Sequence, residues 1–226
     1  MEKEIGYITS LIGDPVRTNI LWTLLDGRAY TATELAICAD TSPQNISMHL
    51  SKLVQANLLT VESQGRHKYY KFSSREVAYV IEAIGSLIPT DKHKKIVNHP
   101  DNSAIRYCRT CYDHLAGKVG VLLTEGMVKQ NIIEFNDSVC HVTKKGISFF
   151  SKLEIDTVEL KSKRRIFARP CLDWSERKYH LAGSLGAAFL NKMLSLDCFR
   201  KVKNSRVITI TSKGQLTLYD MLKVSV

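Results

Sequence analysis

Thr41-Ser-Pro-Gln-Asn-Ile-Ser-Met-His-Leu-Ser-Lys-Leu-Val-Gln-Ala56 is the stretch whose reading decides the fold of the first part of this chain. Ser42 is suited to cap a helix, and Pro43 to its first position, where a missing amide hydrogen costs nothing. Ile46, Leu50, Leu53 and Val54 recur at helical spacing and give one apolar side that packs on a core. Gln44, Asn45, Met48, Ser51, Lys52 and Gln55 fall on the opposite side, with Ser47 and His49 on its flanks. Such groups can reach base edges or phosphates in a DNA groove. The same periodicity describes any amphipathic surface helix, so the flanking segments decide between the two.

Upstream, Ile5 to Ile12 is a short apolar segment suited to packing on a partner subunit. Asp14 and Pro15 open a second helix with Val16, Ile20, Leu21, Leu24 and Leu25 on its buried side and Gly27 as its stop. Thr31 and Glu34 have capping-box spacing ahead of Leu35, Ile37 and Cys38, and Asp40 and Thr41 form the turn into the central helix. Downstream, Asn57 tolerates the left-handed conformation that ends a helix. Leu59 to Glu62 and Lys68 to Phe72 then read as a β-hairpin turning at Gly65. Arg66, His67, Lys68, Tyr69, Tyr70 and Lys71 interleave basic and aromatic groups suited to a phosphate backbone or minor groove. Ser73 caps a last helix carrying Val77, Val80, Ile81, Ile84 and Leu87, which Pro89 ends. Helix, turn, polar-faced helix and hairpin wing in this order make a winged helix-turn-helix.

Ser-Pro-Gln-Asn-Ile-Ser-Met-His-Leu at 42–50, followed by Leu-Leu-Thr-Val-Glu-Ser-Gln-Gly-Arg-His-Lys-Tyr-Tyr-Lys-Phe at 58–72, resembles the winged helix of the ArsR family of bacterial repressors. The resemblance covers residues 5–88. It implies a homodimer through the first and last helices, an imperfectly palindromic double-stranded DNA operator, and displacement by an effector. It also implies that Ser42, Gln44, Asn45, Ser47 and His49 face the major groove, with Arg66 and His67 at the wing tip; Met48, Lys52 and Lys68 complete the candidate DNA-binding set. Metal-sensing members carry Cys-x-Cys in the helix before the recognition helix, whereas here Glu34-Leu-Ala-Ile-Cys38 supplies a single cysteine, read as core. The last helix of the domain, from Ser74 to Leu87, has no histidine, so neither familiar metal site is expected.

The whole chain has 226 residues, 44% hydrophobic and 24% charged, enough for two modest domains. It has no apolar run near the roughly 18 residues of a membrane span and no leader pattern, which points to the cytoplasm, no membrane partner and free thiols at its six cysteines. The net charge of +10 is uneven: residues 1–90 hold eight Lys and Arg against nine Asp and Glu, and residues 91–226 hold twenty-four against thirteen. The global excess therefore does not mark the reading helix; the local cluster Arg66, Lys68 and Lys71 does. Lys161, Lys163, Arg164 and Arg165 fit a solvated face.

Residues 1–90 are accordingly a DNA-binding and dimerisation domain, 91–105, with Lys92, Lys94, Lys95 and Pro100, a linker, and 106–226 a second, sensing domain. That second domain contains a repeat. Arg109-Thr-Cys111-Tyr-Asp113 matches Arg169-Pro-Cys171-Leu-Asp173; each leads to His-Leu-Ala-Gly-x-x-Gly, at 114–120 and 180–186, and later to Val142-Thr-x-x-Gly146 or Ile210-Thr-x-x-Gly214. The expected fold is mainly α with small β wings, its C-terminal domain being two pseudo-symmetric helix-strand-helix repeats joined closely at Gly117, Gly120, Gly183 and Gly186.

Cys111 and His114, three apart, share a face if helical, and Cys171 and His180 are their counterparts. Two thiols and two imidazoles suit an effector or metal site for Zn²⁺ or another soft metal. A second reading makes the cysteines core residues, pairs Arg109, Asp113, Arg169 and Asp173 as ions, and bonds the histidines across the seam. Tyr112, Trp174 and Tyr179 could then line a pocket for an organic ligand. Cys108-x-x-Cys111 is unmatched in the second unit. The glycines are not a nucleotide loop, since no Lys-Ser or Lys-Thr follows them. The sequence reads as a DNA-binding transcriptional regulator with an unknown effector and not as an enzyme; the alternatives are a winged-helix interaction module without DNA binding, or a thiol-dependent enzyme using a Cys-His pair.

Overall fold

The computed structural model describes residues 1–88, 103–136, 139–203 and 205–226, which form two compact units, Met1–Ile84 and Gly85–Val226. Most of the expected linker, residues 91–102, lies outside the described residues, as does Pro89.

The first unit opens with helix α1 (Glu2–Ile12), which buries Leu11 and leaves Ile5 and Tyr7 at least half exposed. Helix α2 (Pro15–Thr23) is capped by the Asp14 carboxylate on the Arg17 amide and buries Ile20 and Leu21. The chain then tightens into a 3-10 turn at Leu24–Asp26, and Gly27, at φ 79, ends it. The capping box is present on α3 (Ala32–Cys38): Glu34 accepts from the Thr31 amide at 2.8 Å and donates its own amide to the Thr31 hydroxyl at 3.3 Å. On α3 the buried residues are Leu35 and Ala36, however. Ile37 and Cys38 are exposed, which corrects the expectation of a core cysteine.

Helix α4 (Pro43–Gln55) begins as the sequence demands, with Ser42 accepting from the Asn45 amide at 3.3 Å and Ile46, Leu50 and Leu53 buried. Asn57 stops it at φ 56. Strands β2 (Leu59–Gln64) and β3 (His67–Phe72) then pair antiparallel with Gln64 opposite His67, so the hairpin is longer than expected and its turn is Gly65-Arg66. A short strand β1 (Tyr30–Thr31) adds to the other edge of β3. Two residues are too few for period-2 alternation to reveal such a strand. Helix α5 starts at Arg75, because the Ser73 hydroxyl is engaged with the Asn57 carbonyl instead of capping. It buries Ala78 and Ile81 and leaves Val80 and Ile84 outward.

The second unit follows one order of elements twice. After a short helix α6 (Ser103–Tyr107) come hairpin β4–β5 (Arg109–Cys111, His114–Ala116), helix α7 (Gly117–Lys129), hairpin β6–β7 (Ile133–Asn136, Val139–Val142) and helix α8 (Lys144–Lys152). Helix α9 (Thr157–Ser162) connects to hairpin β8–β9 (Arg169–Leu172, Tyr179–Ala182), helix α10 (Gly183–Ser195), hairpin β10–β11 (Phe199–Lys201, Ile208–Ile210) and helix α11 (Ser212–Leu222). Thr143 and Thr211 cap α8 and α11 identically, each accepting the amide of the glycine three residues on at 2.9 Å. Val119, Leu123, Leu185, Phe189, Phe150 and Phe199 share one core.

Two expectations for this unit are corrected. The repeated element is hairpin-helix-hairpin-helix, since each Arg-x-Cys and His-Leu-Ala segment is a strand and not part of a helix. The glycines also do not serve a helix-to-helix seam. Gly117 and Gly183 have φ of 79° and 87°, and an added Cβ would lie 2.6 Å from the Arg106 and Phe167 carbonyl oxygens, so they permit a sharp strand-to-helix corner. At Gly120 and Gly186 a Cβ would collide with the backbone of Leu115 and Leu181 and meet the Cβ of His180 and His114, respectively. Each helix thus rests on its own hairpin and against the other repeat's histidine.

Candidate nucleic-acid interface and a buried cysteine-histidine cluster

The outward side of α4 carries Ser42, Gln44, Asn45, Ser47, Met48 and Lys52, all exposed, and the wing adds Arg66, His67 and Lys68. The Ser42 hydroxyl is already used as the helix cap, and Ser47 donates back to the Pro43 carbonyl at 3.2 Å. Gln44, Asn45 and Lys52 carry the longer polar groups on that side. His49 is placed differently from the expectation: it is only 9% exposed, with Nδ1 3.5 Å from the Asp14 carboxylate. Its position three residues after Ile46 and one before Leu50 puts it on the core-facing edge of the helix, so it braces α4 against the start of α2 instead of facing outward. At the wing, Lys71 pairs with Glu62 across the hairpin, while Arg66 and Lys68 stand at or beside the tip.

In the second unit the four cysteine and histidine residues meet. Cys111 lies directly opposite His114 in the β4–β5 register, and Cys171 directly opposite His180 in β8–β9, so each thiol and imidazole is paired by a hairpin turn. Six extra residues in the second turn are therefore harmless: register, not sequence spacing, brings Cys171 to His180. The two hairpins face each other with Cys111 Sγ 4.0 Å from Cys171 Sγ and His114 Nε2 3.1 Å from His180 Nε2. All four donor atoms lie within 4.8 Å of one another. Cys111, His114 and His180 are at most 1% exposed.

Behind each imidazole stands a carboxylate. His114 Nδ1 is 3.3 Å from Asp113 Oδ1, and His180 Nδ1 is 3.3 Å from Asp173 Oδ2. Arg165 pairs with Asp113 at 2.8 Å, and Arg109, fully buried, pairs with Asp173 at 2.9 Å while its guanidinium lies 4.3 Å from the Trp174 ring centre. Asp173 also accepts from the Gly117 amide at 2.7 Å. Of the four residues expected as paired ions, Arg109 and Asp173 pair with each other across the two repeats, and Asp113 pairs with Arg165, which no matched spacing singled out. Burial works against ionising Asp173, but His180 and Arg109 outweigh it and hold the carboxyl well below its usual range.

The thiols differ in electrostatics. Contact with Cys111 and the nearby imidazoles, against the opposing effect of burial, holds the Cys171 thiol well below its ordinary value. Cys108 and Cys140, buried in apolar surroundings, are pushed up to about 12. Burial alone would lower His180, yet Cys171 and Asp173 raise it to about 9. The aromatic residues expected to line an organic pocket do other work: Trp174 covers Arg109, and Tyr179, half exposed, packs edge-on against Phe135. The cavity between Leu115, Gly120, Leu123, Leu181, Gly186 and Phe189 has about 10 Å³, room for about one water-sized sphere. No described helix is long and apolar enough to cross a membrane.

Residues 12–62 match the model of a family described as a helix-turn-helix domain. Over its full length the chain is 42% identical to the whole of a curated relative, the uncharacterized HTH-type transcriptional regulator YdfF of Bacillus subtilis (strain 168). Among solved structures it is similar to HlyU from Vibrio cholerae N16961, at 25% identity, covering 38% of this chain and 94% of that one with a TM-score of 0.36. It is also similar to the AntR antimony-specific transcriptional repressor, at 20% identity over 42% of this chain and 83% of that one, TM-score 0.37. A full-length relative at this identity carries a regulator's name, and residues 1–84 fold as the helix-turn-helix and wing that such a regulator needs. The chain belongs to the HTH-type transcriptional regulators and is a DNA-binding regulator, not an enzyme.

Proposed function

We propose that this regulator acts as a homodimeric repressor of a palindromic double-stranded operator and that its second unit senses a chemical signal. The observation that carries the DNA part is the outward polar face of Pro43–Gln55 set beside a basic wing. In this reading Gln44, Asn45, Ser47, Met48 and Lys52 read or approach base edges, Ser42 orders the helix start, and Arg66, His67 and Lys68 hold phosphates. His49 is left as a brace. Two recognition helices in successive major grooves would sit about 34 to 36 Å apart. Dimerisation through α1 and α5 is supported by their outward apolar residues, Ile5 and Tyr7 on one and Val80 and Ile84 on the other.

The domain plan is 1–90 for DNA binding and dimerisation, 91–105 as connection, and 106–226 as two pseudo-symmetric halves enclosing the sensing site. The site residues are Cys111, His114, Cys171 and His180, with Zn²⁺ or another soft metal as the effector class. A signal changes operator affinity only by binding the DNA-free and DNA-bound forms differently; a tenfold change requires about 1.4 kcal/mol of coupling.

Footprinting on the chain's own upstream DNA, with sedimentation of the free protein, tests this reading. A protected inverted repeat and a dimer are expected. A monomer that protects no fragment beyond random-duplex affinity would instead favour an interaction module.

A further inference from the structure

We infer that Cys111, His114, Cys171 and His180 form a closed four-coordinate site for one borderline-soft divalent ion of the Zn²⁺ type, which clamps the two hairpins of the second unit together. The inference rests on the proposed sensing site and deepens it by naming the ligand and how it is held.

The donor set comes first. Two sulfurs and two imidazole nitrogens converge within 4.8 Å with no carboxylate oxygen among them, which disfavours Ca²⁺ and Mg²⁺, both oxygen-seeking ions. Bond lengths of about 2.0–2.1 Å to nitrogen and about 2.3 Å to sulfur place the edges of a tetrahedron at roughly 3.3 to 3.8 Å. The observed Sγ to Sγ separation of 4.0 Å and Nε2 to Nε2 separation of 3.1 Å lie within a few tenths of an ångström of that range, and the sulfur-nitrogen pairs, all within 4.8 Å, draw in around the ion to complete the shell.

The surroundings of the imidazoles supply an independent argument. Each presents Nε2 inward because Nδ1 faces a carboxylate, Asp113 behind His114 and Asp173 behind His180. At His114 a proton on Nδ1, hydrogen-bonded to Asp113, leaves the Nε2 lone pair for a metal, the arrangement typical of metal-bound histidine, and at His180 the Asp173 carboxylate lies 3.3 Å from Nδ1. Arg165 and Arg109 hold the two carboxylates, and Ser175 further fixes Asp173 through its amide at 2.9 Å and its hydroxyl at 2.7 Å. A pair of histidines needed only to bond each other across a seam would require one such carboxylate at most.

Three of the four ligands are at most 1% exposed, so no coordination position opens to a substrate, as in structural and regulatory zinc sites and unlike catalytic ones. On binding, each thiol-imidazole pair gives up one proton to solvent, leaving two thiolates and two neutral imidazoles; two metal-sulfur and two metal-nitrogen bonds form, and the thiolates balance the dication. The ligands come from strand pairs about sixty residues apart in sequence, so the ion would crosslink β4–β5 to β8–β9 and stabilise the unit by mass action.

The test uses the full chain, purified reduced and anaerobically, stripped with a chelator and titrated with Co²⁺ and then Zn²⁺. One Co²⁺ per chain with tetrahedral d-d bands and thiolate charge transfer, displaced by one Zn²⁺, is expected, together with a higher melting temperature. Asp113→Asn should keep the fold and lower affinity by about 10- to 100-fold. Cys38→Ser should bind as wild type, whereas the double variant Cys111→Ser with Cys171→Ser should lose the charge-transfer band. An octahedral spectrum, no stoichiometric binding, or a double variant that binds like wild type overturns the site. Operator affinity in the same samples separates the two readings: tetrahedral binding without any change in operator affinity retains the metal site and removes the sensing role, and a response to thiol oxidant without metal binding does the reverse.

Discussion

The polar face of α4 and the cysteine-histidine cluster hold their functional groups in opposite ways. On α4 the groups are exposed, come from one thirteen-residue helix, and need only an apolar stripe beneath them to be aimed outward. In the cluster they are buried, come from four strands of two hairpins, and need two arginine-carboxylate pairs to tolerate burial. Solvent explains the difference. A group that meets a polyanion from outside stays hydrated until binding, whereas a buried imidazole or carboxylate must find its partners within the fold. Function on α4 is therefore cheap in stability and open to substitution; in the cluster, stability and function are tied.

The sharpest break between the two regions is expected from their ion pairs. Asp173→Ala leaves Arg109 buried without its carboxylate and should destabilise the second unit by about 3 to 5 kcal/mol in urea unfolding. Glu62→Ala, which removes the partner of Lys71 at the wing, should leave the midpoint nearly unchanged, since exposed pairs contribute little. Equal effects at the two sites would remove the distinction drawn here.

Glycine substitutions sharpen the same contrast. Gly183→Ala combines a positive φ with a Cβ 2.6 Å from a carbonyl oxygen and should cost about 1 to 3 kcal/mol or somewhat more. Gly65→Ala at the wing has a positive φ of 60° but open space around it, so a loss of about 1 kcal/mol is expected from the backbone alone. Thermal melts of both variants measure the difference.

On the DNA side, effects on stability should be small and effects on binding divided by role. Gln44→Ala or Asn45→Ala should reduce discrimination between operator and mismatched sequence by about 1 to 3 kcal/mol. Arg66→Ala or Lys68→Ala should weaken all duplexes alike and lower the salt slope by about one per lost phosphate contact. His49→Ala should lower the melting temperature and leave sequence preference unchanged, the reverse of Gln44→Ala, because it is held against Asp14.

Alkaline pH tests the burial of the second unit in another way. Cys108 and Cys140 keep their protons in the folded state up to about 12, against an ordinary 9.0. Their folded values are raised, so the stability they contribute is fully present below pH 9.0 and is lost as pH rises toward about 12, where the unfolded chain alone has released the protons. Urea midpoints at pH 8 and pH 10.5 should therefore fall for the second unit. Replacing exposed Cys38 with Ser should not alter that fall.

Residue order alone determined the winged helix. Ser42-Pro43, the Thr31 to Glu34 box, the Asn57 stop and the turn at Gly65 are local signals, each acting within four residues, and the structure places helices and hairpin where they require. Matching of Arg-x-Cys-x-Asp and His-Leu-Ala-Gly motifs likewise brought out the four residues of the cluster without any coordinates. What sequence could not reach was everything decided by pairing over distance. Whether Cys111 and His114 sit on a helix or face each other across a strand pair depends on hydrogen bonds, and a three-residue spacing fits both. The pairing that sets Arg109 on Asp173 and Arg165 on Asp113 joins residues 64 and 52 positions apart. His49 and Cys38 show the same limit in single residues. Both lie on helix flanks, where burial is set by the element packed alongside: Asp14 and its neighbours cover the first, and the second is left exposed. Local chemistry writes the start, stop and apolar side of an element, but the partners of a buried charge are chosen only when distant strands close around it.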